Sequence, residues 1–200
     1  MTTSNLSTFS IGWVAIATGA AGALALAFLI LLFTVGQPFG TLNDICIGVT
    51  AILSVVLAWT LYSQAQAQLP FRSGAALLLA GVGALVVMIG SVLVISGITG
   101  WYLAGLYMAV GNALIGVWLL GLSYSALQSN AWSHELTIYG IVTGAIMLLG
   151  LAALPGIFTR IDAWDAGPWY VNYIGQTSAL GYLVLYPIWC LLVGRVLLGK

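Results

Sequence analysis

Few side chains in this sequence could do chemistry, and they can be weighed one at a time. Asp44, Asp162 and Asp165 are the carboxylates whose positions allow them to share one location, with Glu135 apart from them beside the single histidine, His134. Paired carboxylates suit acid–base work, one giving a proton while the other accepts one. A membrane enzyme acting on lipid would need such a pair at one interface, and only this group qualifies. A zinc or haem site needs several ligands converging. His134, flanked by Ser133 and Glu135, reads as part of a helix cap, so no catalytic residue, metal or cofactor is expected, and what room remains is for a bound lipid or an apolar pigment.

Five residues stand out as candidate binding positions: Asp44, Asn112, Arg160, Tyr182 and Tyr186. Asn43 and Asp44 follow Gln37-Pro38-Phe39-Gly40-Thr41-Leu42, in which Pro38 and Gly40 suit a tight turn. Thr41, Asn43 or Asp44 can then cap the helix that follows, the carboxylate meeting the helix dipole. An Asp44–Arg160 pair would tie two links together, and a small polar ligand site is the competing use of the same groups. Asn112 sits mid-way along an apolar run and must find a partner there, either in a neighbouring helix or in a polar cavity. Tyr182 and Tyr186 are four apart and share a helix face with Ser178, next to Pro187, which removes a backbone bond and should bend the helix near Tyr186. That face packs in the core or lines a pocket for an apolar ligand.

The elements that position these groups follow from composition. Of 200 residues, 62% are hydrophobic and 4% charged, with mean hydropathy +1.14. A soluble domain carries roughly 25% charged residues, so lipid is the solvent this composition fits. Net charge is zero, which leaves no basic field for nucleic acid and no polybasic patch for anionic lipid. A spanning helix needs about 20 apolar residues, and the sequence supplies such runs at 11–35, 44–62, 75–98, 101–124, 136–158 and 174–198. The first run is too long, and too poor in preceding basic residues, for a cleaved signal. The predicted fold is an all-α, polytopic transmembrane bundle of six spans forming one domain over residues 1–200.

With six spans, one face receives both termini and the 63–74 and 125–135 links, hence Arg72, Arg195 and Lys200 against Arg160 alone on the other. The positive-inside rule makes the first face cytoplasmic, giving an N-in, C-in protein of the inner (plasma) membrane. The long 159–173 link, with Trp164, Trp169 and Tyr170, should lie along the outer interface. Cys46 and Cys190 fall at depths differing by about 24 Å at ~1.5 Å per residue, too far for a disulfide.

Small residues recur in stripes: Ala76, Ala80, Gly83, Val87, Gly90 in the third span; Gly105, Ala109, Asn112, Gly116 in the fourth; Gly12, Ala15, Gly19, Gly22 in the first; Gly140 and Gly144 in the fifth. Such stripes let helices approach closely, and the short turn at 97–100 predicts a tight pair between spans three and four. A stripe can equally face a second copy or another membrane subunit. The 38–45 segment and the 181–195 segment resemble those of small, uncharacterised six-helix membrane proteins of prokaryotes. That resemblance implies the helix count and no activity.

The absence of ionisable groups at the centre of any span argues against an ion-coupled pump. The first functional expectation is therefore a non-catalytic membrane protein, an accessory or assembly subunit or a binder of lipid-like ligands. The second is a channel or facilitator for a neutral small solute. The third is the lipid-modifying enzyme above.

Overall fold

The computed structural model of the protein describes residues 3–68 and 74–199, and every regular element among them is helical. The helices are α1 (Thr3–Thr34), α2 (Phe39–Gln68), α3 (Gly74–Ile95), α4 (Trp101–Ser129), α5 (His134–Phe158) and α6 (Tyr170–Leu198). Their apolar stretches run from 22 to 29 residues, about 33 to 44 Å, which exceeds a hydrocarbon core of ~30 Å. The chain is a multi-pass membrane helix bundle. Its outward faces carry Leu24, Ile30, Leu78, Leu85 and Ile89, whereas Thr18, Asn43, Ser54, Thr143 and Ser178 are buried. This is the distribution of a chain solvated by lipid, and those five buried polar groups are hydrogen-bonded inside the bundle.

Each helix packs on its neighbour in sequence, and α6 closes the bundle by lying along α1. α4 is the most enclosed, with 72% of its apolar window buried against 22% for α1. It meets α3 and α5 along its length and touches α2 and α6. The turns at 35–38, 96–100 and 159–169 gather at one end, here called the acidic end. Ile11, Leu61, Ala76, Leu122, Leu136 and Leu197 cluster near the other, where the first and last helices meet. Arg72 and Lys200, two of the residues used for orientation, lie outside the described residues.

The glycine stripes are met by the chain itself. A Cβ on Gly83 would stand 2.5 Å from the Gly111 carbonyl oxygen, and one on Gly90 would stand 2.9 Å from that of Ala104. α3 and α4 therefore touch backbone to backbone, as their spacing predicts. Gly12 and Gly194 join α1 to α6, and Gly116 and Gly144 join α4 to α5, in the same manner.

The boundaries differ from the hydropathy reading in instructive places. α2 begins at Phe39 rather than 44, so Gly40 is helical and Thr41, Asn43 and Asp44 are not caps. Pro38 tolerates the position before a helix because it has no N–H to satisfy, and its carbonyl accepts from the Leu42 N–H at 3.2 Å. α4 runs on to Ser129, where Asn130 stops it in the left-handed region at φ 50°. Ser133 does cap α5, accepting from the Leu136 N–H at 3.4 Å. α6 begins at Tyr170 and widens into π turns at Tyr170–Gly175 and Gly181–Leu185. The second lies just before Pro187, whose ring and missing N–H forbid the ordinary hydrogen-bond register at that point.

Candidate functional site

The inward face of α2 reads Asn43 and Asp44, then Ile47, Thr50 and Ser54 at steps of three or four residues from the acidic end, so one largely polar stripe looks into the bundle. Opposite it, α6 presents Gln176, Tyr182 and Tyr186, and α4 presents Tyr102, Gly105 and Asn112. Between them, with Leu29 and Phe33 of α1, lies a vestibule of about 100 Å³ at the acidic end. Phe33 and Trp101 form its rim, exposed and meeting edge to face with ring centres 6.2 Å apart. Directly beneath is a tighter space of about 10 Å³ bounded by Thr50, Asn112 and Tyr182.

The floor is sealed. Tyr186 donates to Ser54 Oγ at 2.9 Å, and Ser54 donates to the Thr50 carbonyl at 2.7 Å. Below this bond Leu57, Trp118, Leu119 and Trp189 are at most 1% exposed. Trp118 and Trp189 meet edge to face, and Tyr186 stacks on Trp189.

The hydrogen-bonding groups around the vestibule are unevenly committed. Asn43 donates to the Ala25 carbonyl of α1 at 2.8 Å, tying α1 to α2. Tyr102 donates to Asn172 Oδ1, and the Asn172 amide donates to the carbonyls of Trp164 at 2.7 Å and Gly167 at 3.2 Å. This ties the 159–169 link to the first turns of α4 and α6. Asp44 is 5% exposed and has no hydrogen-bond or ion-pair partner among the described residues. It is the one carboxylate in the wall, and no Lys, Arg or His lines it.

Four of the five residues singled out from sequence thus fall along one interior track. Asp44 and Tyr182 line the vestibule, Asn112 and Tyr182 the space below, and Tyr186 the floor. Asn112 satisfies its amide within its own helix, donating to the Met108 carbonyl at 2.9 Å, rather than across to a neighbour. Arg160 lies elsewhere and forms no pair with Asp44. Its backbone is left-handed at φ 53°, and it closes α5 in a Schellman turn in which the Ile161 N–H bonds the Gly156 carbonyl at 2.9 Å. Ser178, expected on the face of Tyr182 and Tyr186, instead donates to the Gly175 carbonyl at 2.6 Å and lies against Gly150 of α5. The π turns on both sides of it change the angular step per residue.

The bond that ties the links at the acidic end is one the sequence did not reveal. Asp162 accepts from the Gly100 N–H at 2.6 Å and the Leu103 N–H at 3.0 Å, capping α4 from a link 62 residues away in sequence. Both of its oxygens are thereby engaged. Among the described residues no three metal-binding side chains converge. Tyr102 and Gln176 were likewise missed; Gln176 is three and seven residues before Ala179 and Leu183, which also line the vestibule, and that spacing was the available signal.

Searches of known family models, of curated proteins and of solved structures find no match to this chain. The assignment of a role therefore rests on the vestibule. What that arrangement can do chemically is hold a small polar group against Asp44, Tyr182 and Gln176, with apolar walls from Leu29, Ile47 and Met108. A second feature faces lipid: an apolar groove of about 530 Å³ between α2 and α3, bounded by Ile52, Val56, Leu78, Val82 and Leu85 and deepened where Gly81 has no side chain.

Proposed function

We propose that the protein is a non-catalytic integral membrane protein that binds a lipid-like amphiphile, seating its head group in the vestibule while its apolar part leaves past Phe33 and Trp101. In this reading the acidic end faces outward from the plasma membrane. The observation that carries it is a chamber with apolar walls and a few polar groups, open toward one end and closed by the Tyr186–Ser54 bond and the Trp118–Trp189 pair beneath. A chamber with one mouth binds, whereas a conduit needs two. Its size supports a head group rather than a chain, since about 100 Å³ is roughly the space of three water molecules.

The facilitator reading draws on one observation, the second space beside Asn112 and Thr50. The two readings separate in proteoliposomes. The binding reading expects glycerol and urea to cross no faster than through protein-free vesicles, and co-purified amphiphile to be lost on Gly105→Leu. A Cβ at Gly105 meets nothing within 4 Å, so that change fills the vestibule without pushing on the helices. Solute flux above the lipid background that Gly105→Leu abolishes would establish the facilitator instead.

A further inference from the structure

We propose that the head group held in the vestibule is a protonated primary amine, with its ammonium on the Asp44 carboxylate. This rests on the vestibule being a binding site and adds what it binds.

An ionised carboxylate is strongly disfavoured away from water unless a counter-charge or several donors accompany it. Asp44 is 5% exposed, yet the protein supplies neither. The nearest candidates in the wall are already engaged: Asn43 donates to Ala25 and Tyr102 donates to Asn172. Only the Tyr182 hydroxyl and the Gln176 amide are uncommitted there. Arg160, the one basic residue at the acidic end among the described residues, does not line the vestibule. The wall therefore has one negative charge, hydrogen-bond acceptors and no cation of its own.

The remaining lining selects among cations. Phe33, Trp101, Tyr102 and Tyr182 place four aromatic rings around the chamber, and ring faces attract ammonium groups. A primary ammonium has three N–H donors to share between the carboxylate, the Tyr182 oxygen and the Gln176 carbonyl. A quaternary ammonium has none. Leu29, Ile47 and Met108 offer apolar contact to the first methylenes of an attached chain.

The test uses the full-length protein in maltoside micelles at neutral pH, with n-octylamine and 1-octanol as probes of equal chain length, followed by calorimetric titration. A charge-assisted bond of this kind corresponds to a loss of at least about tenfold in Kd when the charge is removed. Asp44→Asn, nearly isosteric, should therefore weaken octylamine at least tenfold and leave octanol unchanged. Gly105→Leu should weaken both. If octylamine and octanol bind alike and Asp44→Asn changes neither, the amine assignment is overturned, while loss of both in Gly105→Leu would still uphold the vestibule as a binding site. If Gly105→Leu also changes nothing, the vestibule reading fails with it. Displacement of octylamine by sodium chloride in an Asp44-dependent manner, with sodium saturating at one per chain, would overturn the amine in favour of an inorganic cation.

Discussion

Two glycines of α3, two residues apart, should respond to the same substitution with opposite sign. Gly81 lines the lipid-facing groove, and a Cβ there meets nothing within 4 Å; Gly83 faces α4, and a Cβ there stands 2.5 Å from the Gly111 oxygen, 2.9 Å from the Leu114 Cβ and 3.1 Å from the Ile115 nitrogen. Ordinary contact begins at 3.4 Å, so Gly83→Ala drives the helices apart by about 0.9 Å unless one of them bends. Two of the three obstructing atoms are backbone and cannot rotate away. A gap of 0.5–1 Å forfeits about a quarter to a half of each dispersion contact along the seam, and overpacking of this kind costs about 1–3 kcal/mol. Gly81→Ala avoids that cost and gains helix propensity, up to about 1 kcal/mol. The pair should therefore differ by roughly 2 kcal/mol or more, Gly83→Ala below the parent and Gly81→Ala at or above it. Unfolding by sodium dodecyl sulfate from mixed micelles, followed by circular dichroism, measures this directly. Equal shifts in the two variants would refute the α3–α4 contact as the seam that sets helix spacing.

Two further outcomes follow from the acidic end and the cysteines. Asp162→Ala removes the acceptor of the Gly100 and Leu103 N–H groups and should lower thermal stability by about 1 kcal/mol, whereas Asp165→Ala, whose side chain caps nothing, should leave the melting temperature within error; equal loss in both would sink the capping assignment. Cys46 is half-buried and Cys190 fully buried, both free. A membrane-permeant maleimide should label Cys46 in the folded protein and reach Cys190 only after denaturation, as mass spectrometry of the intact chain would show.

The sequence revealed most where apolar character or small size repeats along one helix. The six spans and the α3–α4 pairing both have that form: Ala76, Ala80, Gly83 and Gly90 mark a contact face whatever the partner. It revealed least where a polar residue points inward. Thr41, Asn43 and Asp44 lower local hydropathy just as a loop would, and so displaced the start of α2 by five residues, from Phe39 to 44. Hydropathy cannot separate a polar group satisfied by the Ala25 carbonyl of a neighbouring helix from one satisfied by water. The Asp162 cap was illegible for a related reason, because its partners lie on a different helix and no local pattern announces them. The vestibule combines both difficulties, since its walls come from four helices and its polar groups are scattered through otherwise apolar runs.

The one-mouthed form of that vestibule is nonetheless written along the chain. α2, α4 and α6 all run away from the acidic end, so distance along each is depth in the bundle. On α2 the inward groups pass from Asn43, Asp44, Thr50 and Ser54 to Leu57, Ala58 and Leu61. On α6 they pass from Gln176, Tyr182 and Tyr186 to Trp189, Cys190 and Val193, and on α4 from Tyr102, Gly105 and Asn112 to Ile115, Trp118 and Leu119. Beneath the hydrogen bond from Tyr186 to Ser54 the next inward residues on all three helices are mainly apolar, and on α4 buried polar groups return at Ser123 and Ser125. A conduit would need polar groups to bridge that level, and Leu57, Trp118, Leu119 and Trp189, each at most 1% exposed, stand between Ser54 and Ser123. A bundle selected only for packing has no reason to interrupt its polar groups at one level, nor to leave a buried carboxylate without a partner above it. A ligand that enters to that depth and goes no further accounts for both.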